Sequence, residues 1–201
     1  MKVRSLMIPD PITIRENASV AEAIALMKSS RIRHLPVVSA DNTLRGFLTL
    51  ADLKQGLLPS LVSDVSLKDL IIRNPITVAP DDDIEKAARL IYNYKISGLP
   101  VVEGSRLAGI LTETDILRTF IDMMGILTSS SRLEVVIRDN PDEFKKAVQI
   151  IQTCGGDIIN VSMTAQESTT RIYYFRLFPC NTQSIRESLE SEGFSVTDAL
   201  D

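Results

Sequence analysis

The chain has no tryptophan, one histidine and two cysteines among its 201 residues, and only 5% of it is aromatic. Each scarcity closes off a class of function. A single histidine, His34, removes most His-dependent catalytic triads and most zinc sites, which draw on several imidazoles or clustered thiolates. Cys154 and Cys180 lie far apart without ligand spacing, so they read as reduced thiols of a cytoplasmic protein. With so few rings available, the cores have to be built from Ile, Leu, Val, Met and Ala. Long apolar runs are missing too. No stretch approaches the roughly 18 apolar residues of a membrane span, and residues 1–11 lack an apolar segment of signal-peptide length. The expectation is a cytoplasmic protein with no membrane insertion. The net charge of −4 and a pI near 5.1 argue against nucleic acid as a partner, because such binding needs a basic face.

What is present is an internal repeat. Asp10-Pro11-Ile12-Thr13-Ile14 matches Asn74-Pro75-Ile76-Thr77-Val78 at an offset of 64 residues. At the same offset Ser19-Val20-Ala21-Glu22 falls on Asp83-Ile84-Glu85-Lys86, and His34-Leu35-Pro36-Val37-Val38 on Gly98-Leu99-Pro100-Val101-Val102. Gly46-Phe47-Leu48-Thr49-Leu50-Ala51-Asp52 then falls on Gly109-Ile110-Leu111-Thr112-Glu113-Thr114-Asp115 at an offset of 63. One residue is lost in the intervening turn, where a deletion costs least. Four blocks in one order establish a duplication.

Each copy reads as a short strand, a helix, a hairpin and a second helix. Val20, Ala23, Ile24 and Met27 follow the spacing of one buried helical face, as do Ile84, Ala87, Ala88 and Ile91. Ser19 with Glu22 predicts a capping box, and Asp83 is placed to cap the matching helix. The expected domains are residues 1–62 and 63–127 as the two repeats, 128–132 as a linker, and 133–201 as a separate domain. Two copies, each with one uncovered sheet face, are expected to pack by pseudo-twofold symmetry and share a core.

These motifs resemble a tandem pair of CBS domains, the regulatory modules named after cystathionine β-synthase. The carriers are the Pro-Ile-Thr and Leu-Pro-Val-Val segments and two copies of Gly-x-x-Thr-x-x-Asp in register, over about residues 1–127. The last motif sets a hydroxyl and a carboxylate side by side on a first helical turn. The carboxylate can accept from a ribose diol, and the hydroxyl with free helix N–H groups suits a phosphate oxygen. Helix capping is the alternative role for the same residues. The resemblance implies an adenosine nucleotide seated between the repeats, with AMP, ADP, ATP and S-adenosylmethionine as candidates and no required cofactor. One site would use Thr49 and Asp52 with Ile76 and Ile96; Ser97 and Gly98, the counterparts of Arg33 and His34 in the second copy, are further nucleotide-binding candidates. The other would use Thr112 and Asp115 with Ile12 and Ile32. Arg33 and His34 are positioned to neutralise phosphate, beside Asp52 in this reading, and His34 to add pH sensitivity. A solvated basic loop is the alternative.

The last seventy or so residues read as βαββαβ: strands at 133–137, 158–163, 171–178 and 194–197, and helices at 142–152 and 184–191. This order implies a ferredoxin-like antiparallel sheet with helices on one face, so the whole chain is of the α+β class. Residues 135–141 and 155–161 resemble those of ACT domains, which respond to amino acids. Asn140, Ile159, Asn160 and Val161 are the positions matching that family's ligand site. The chain departs from the family's loop by having Pro141-Asp142 where many members have Pro-Gly, so a dimerisation surface is the other reading. The run Ile172-Tyr173-Tyr174-Phe175 would need cover if it lay at a sheet edge, which predicts a homodimer.

The combined architecture is similar to AcuB-type proteins, associated with acetoin utilisation. It implies a non-catalytic sensor acting on a regulated enzyme or transporter. The alternative is an amino-acid-sensing or purely dimerising regulator whose CBS pair is a scaffold without ligand.

Overall fold

The apolar stripes become helices. α1 (Val20–Ser29) buries Ala23 and Met27, and α4 (Ile84–Tyr94) buries Ile84 and Ala87. Ser19 caps α1 through the predicted reciprocal box with Glu22. Asp83 does stand at the N-cap of α4 but makes no side-chain cap bond. Its carboxylate instead takes Lys2 Nζ at 2.8 Å, because residues 1–4 run along this helix start, with Val3 N donating to Asp82 O and Ile84 N to Met1 O.

In the computed structural model, which describes residues 1–56, 66–164 and 169–201, the chain divides into two units, Met1–Leu117 and Arg118–Asp201. The proposed boundary at 62/63 lies outside the described residues. The first unit contains two antiparallel hairpins, β2 (His34–Val38) with β3 (Leu44–Thr49) and β4 (Gly98–Glu103) with β5 (Arg106–Thr112). Both carry a register shift at the equivalent Val-Val pair, Val37/Val38 and Val101/Val102. After the hairpins come α2 (Leu50–Gly56) and α5 (Glu113–Met123). The predicted strands at Pro-Ile-Thr are only single parallel bridges, Ile14 to Val37 and Val78 to Val101.

The sequence repeats are not the packing units. Val3, from a 3-10 turn (Val3–Ser5), is fully buried in the core of the second copy with Val78, Ala87, Leu99 and Leu111. Sixty-four positions on, Leu67 of α3 (Leu67–Leu70) is buried in the core of the first copy with Met27, Leu35, Leu48 and Leu53. β1 (Ile8–Pro9) pairs with β5, and Ile72 pairs with Phe47. Each copy therefore lends its leading segment to the other. The expected shared core is in fact two cores, joined by exchanged chain.

Glycine permits the exchange. A Cβ on Gly46 would lie 2.2 Å from Ile71 Cγ2, and one on Gly109 would lie 2.9 Å from Ile8 O. The first residue of Gly-x-x-Thr-x-x-Asp is thus set by backbone approach.

The second unit holds a four-stranded antiparallel sheet in the order β7-β8-β6-β9, from β6 (Ser131–Arg138), β7 (Ile158–Thr164), β8 (Thr170–Leu177) and β9 (Ser195–Leu200). With α6 (Pro141–Thr153) and α7 (Thr182–Ser191) it forms the ferredoxin-like arrangement. β6 begins at Ser131, inside the predicted linker. Leu133, Val135 and Ile137 pack with Ala147, Ile151, Ile185 and Leu189 of the helices, so alternate β6 residues point to the opposite, bare face. The Ile172–Phe175 run lies in β8, a central strand, and the edges are β7 and β9. The edge-strand argument for a dimer therefore falls away.

Candidate functional site

Thr49 ends β3 and Asp52 stands in the first turn of α2; Thr112 ends β5 and Asp115 stands in the first turn of α5. Both copies have the same local geometry. Thr49 N and Oγ1 donate to Asp52 Oδ2 at 3.0 and 2.6 Å, and Asp52 N donates back to Thr49 Oγ1 at 3.2 Å. In the second copy the corresponding distances are 2.8, 2.5 and 3.3 Å. These are reciprocal caps that satisfy orphan helix donors. In Asp52 they use only Oδ2, so Oδ1 keeps its capacity to accept from a diol. Capping and ligand contact are compatible roles: the cap fixes the rotamer in which the second oxygen is presented.

Thr49 and Asp52 open onto a cleft of about 390 Å³, within the size range of small-molecule pockets. Ile76 and Ile96, the two residues named with them from the sequence, also line it, as do Ser97 and Gly98. Sequence reasoning missed Phe47, Ile72 and Lys95, which line it as well. Phe47 occupies an unspecified position of the motif, and Ile72 belongs to the exchanged segment. Lys95 takes φ 53° at the C-cap of α4; an αL residue at a helix end is a turn signal, not a binding signal.

Arg33 and His34 do not line this cleft. They stand at the start of β2, in Asp52's own hairpin, whereas residues 95–98 of the other copy share the cleft with Asp52. The positive charge assigned from the sequence to the Asp52 site belongs elsewhere. Among the described residues the charged lining of this cleft is one carboxylate, Asp52, and one ammonium, Lys95.

His34 is 8% exposed. Its Nε2 lies 2.7 Å from Ser97 Oγ, its ring stacks on Phe47 at 5.8 Å, and a Cβ on its counterpart Gly98 would meet Cδ2 at 2.9 Å. The imidazole fills the space opposite a glycine and joins the two hairpins. Burial, helped by Arg33, lowers its pKa against the opposing pull of Glu113, Asp115 and Asp52. It is therefore held neutral near pH 7, which corrects its reading as a phosphate counter-charge. Because the folded pKa lies below the unfolded one, the unfolded state binds more protons as pH falls below about 6.5. Stability from this group is complete above that value and is lost as pH falls towards the lowered folded pKa. Thermal melts from about pH 8 to about pH 5 should show this loss in the wild type, and a flatter profile in His34→Gln.

Around Thr112 and Asp115 the sequence named Ile12 and Ile32. Ile12 is 42% exposed, and Ile32 packs at the margin of the first core. Glu113 N donates to Ser97 O as Leu50 N donates to Arg33 O, so the pseudo-symmetry extends to both helix starts.

The C-terminal candidates do not form one site within a chain. Asn140 caps α6, its Oδ1 accepting from Asp142 N at 3.0 Å, beyond the end of β6 where Arg138 faces Thr170. Ile158, next to Ile159, faces Leu177 at the far end of β8. Seven residues of strand, about 23 Å, separate these ends. Asn160 Nδ2 donates to Met123 O at 3.3 Å, and Val161 packs on the core.

A duplicated hairpin-and-helix unit with exchanged leaders and a cleft between its copies defines a paired module. The CBS domain family matches residues 3–58 and 67–122, and the chain belongs to that family. Among solved structures it is similar to the CBS domain pair of protein MJ0100 in complex with 5′-methylthioadenosine and S-adenosyl-L-methionine. The two are 32% identical with a TM-score of 0.56, covering 60% of this chain and 95% of that one. It is also similar to an acetoin utilization protein (AcuB) from Vibrio cholerae, at 29% identity and TM-score 0.56, covering 63% and 94%. A third is CBSX2 in complex with AMP, at 28% and 0.54, covering 61% and 97%. A homoserine O-acetyltransferase of Methanohalobium evestigatum is 39% identical over 117 residues, but the match covers 58% of this chain and only 23% of that enzyme. Among the described residues no helix is long and apolar enough to cross a membrane.

Proposed function

We propose that the chain is a non-catalytic cytoplasmic regulator that binds an adenosine compound in the Asp52 cleft and passes the change of state to a partner. The observation that carries this reading is the convergence of Thr49, Asp52, Ile76 and Ile96 on one cavity. Support comes from relatives that hold 5′-methylthioadenosine, S-adenosyl-L-methionine or AMP. Asp52 Oδ1 would accept from the ribose, while Phe47, Ile72, Ile76 and Ile96 would flank the base. A ligand regulates only by binding one state better than another, and exchanged segments give the module a route for such a difference, because Ile72 lines the cleft and Ile71 lies in the first core.

Charge narrows the ligand. Asp52 and Lys95 are of opposite sign, so the cleft suits a compound of low net charge better than a triphosphate, whose several negative charges would meet one ammonium. Isothermal titration should rank 5′-methylthioadenosine, S-adenosylmethionine and AMP above ATP. Absence of heat with all four at millimolar concentration would sink the nucleotide reading.

The amino-acid-sensing alternative draws on the ferredoxin-like unit and its ACT resemblance. On this reading Asn140 and the 159–161 segment meet only across two copies. A homodimer is supported by the apolar side chains that α5 and its continuation expose: Leu117, Phe120, Met123 and Leu127 are 58%, 42%, 57% and 80% accessible. Sedimentation should give a dimer for the wild type and a 22.2 kDa monomer for Phe120→Glu. A wild-type monomer at micromolar concentration would refute this assembly.

A further inference from the structure

The face of the C-terminal sheet opposite its helices carries a cavity of about 370 Å³ that the nucleotide reading does not use and that shares only Asn160 with the 140/159–161 candidates. Two arginines define its chemistry. Arg132 on β6 and Arg176 on β8 are direct cross-strand partners, with Glu134 opposite Tyr174 two pairs along, the next pair on the same face. Like charges placed opposite one another on a sheet repel. The acids nearby are both engaged with Arg132: Asp198 takes its Nη2 at 2.5 Å, and Glu134 Oε1 lies 3.8 Å from its Nε. That Nε is nevertheless buried and makes no hydrogen bond. Arg176 has a single side-chain partner among the described residues, the Ser130 hydroxyl at 2.7 Å, and no carboxylate.

We propose that this cavity is a binding site for a small monocarboxylate with an apolar body. A carboxylate fits the planar fork of a guanidinium with two parallel hydrogen bonds. Here it would supply an anion to Arg176, which pairs with no carboxylate among the described residues, and an acceptor to Arg132 Nε. Glu134 in the same wall repels dianions and phosphates, which selects a single negative charge and leaves a partner for an ammonium group on the same ligand. Met124 and Ile126 contribute the apolar wall. The face is distinct from the nucleotide cleft, so its failure and the failure of the adenosine reading are separate results.

The test is isothermal titration of the full chain with apolar L-amino acids, their 2-oxo acids and their amides. A carboxylate-bearing member should bind and the amide with the same side chain should be silent. Arg176→Gln should weaken that binding at least about tenfold, the scale of a lost charge-assisted pair. AMP binding and ligand-free melting should be unchanged, since Arg176 gives up only one hydroxyl contact. Arg176→Lys, which keeps the charge without the fork, should fall between. Silence of the whole panel at millimolar concentration overturns the proposal, as does equal binding by an amide or by Arg176→Gln. Dissociation of a wild-type dimer by Arg176→Gln would assign the face to a second copy and overturn it as well.

Discussion

Alanine at Gly46 is expected to be the most destabilising single-methyl change in the first unit. The added carbon would lie 2.2 Å from Ile71 Cγ2 and 3.0 Å from Ile72 O. Ile71 is 7% exposed in a filled core, and Ile72 is pinned by paired backbone bonds to Phe47 at 2.9 and 3.0 Å. Neither neighbour can yield cheaply. Overpacking of this kind costs about 1–3 kcal/mol, and displacement of Ile72 also disturbs a wall of the Asp52 cleft. Thermal denaturation should show a clear fall in Tm together with weaker adenosine-ligand binding. Gly104→Ala is the comparison: its φ is 64°, and a Cβ there meets nothing within 4 Å. It should cost about 1 kcal/mol in backbone strain alone and leave binding intact. Equal effects from the two substitutions would mean that close approach of the exchanged segment is not what Gly46 provides.

The second large effect concerns the caps. Asp52→Asn and Asp115→Asn together should abolish ligand-induced stabilisation while changing ligand-free melting little. Asparagine retains one oxygen to accept from Thr49 N or Thr112 N, and Asn and Asp cap helices about equally well. Loss of the charge removes the stronger form of the diol contact, worth about 1.5–3 kcal/mol, which is roughly a ten- to hundredfold loss of affinity per site. Titration of the single variants should locate the working seat. The cleft geometry predicts that Asp52→Asn matters for low-charge adenosine ligands. A double variant that binds as tightly as the wild type would reduce both motifs to helix caps.

The caps were legible in the sequence because capping is local: Ser19 with Glu22 and the two Thr-x-x-Asp pairs act within one helical turn. So were α1 and α4, whose apolar residues recur at helical spacing, and the βαββαβ order of the C-terminal unit. What could not be read is everything decided by long-range approach. Asp83 has the side chain of a cap, yet Lys2 claims it from across the fold. Arg33 sits beside Asp52's hairpin in the chain, yet Lys95 shares Asp52's cleft. The repeat offset predicts that equivalent residues occupy equivalent places. It does not say whose partner each becomes, because exchange and non-exchange of the leading segments leave the same sequence signature. His34 shows the limit of charge reasoning: the basic pair Arg33-His34 looks solvated until burial opposite Gly98 makes one member neutral.

The exchanged leaders also set an order on folding. During synthesis Val3 and Ile8 leave the ribosome well before their partners Leu99 and Ile110, which come roughly a hundred residues later. The first hairpin likewise waits for Leu67 and Ile72. Neither core can close on its own nascent copy, so closure of such long loops carries an entropy cost before any contact rewards it. Residues 1–9 must stay without these partners until the second hairpin emerges, and a refolding experiment should find the slow step in their docking, a segment made before its partners and seated after them.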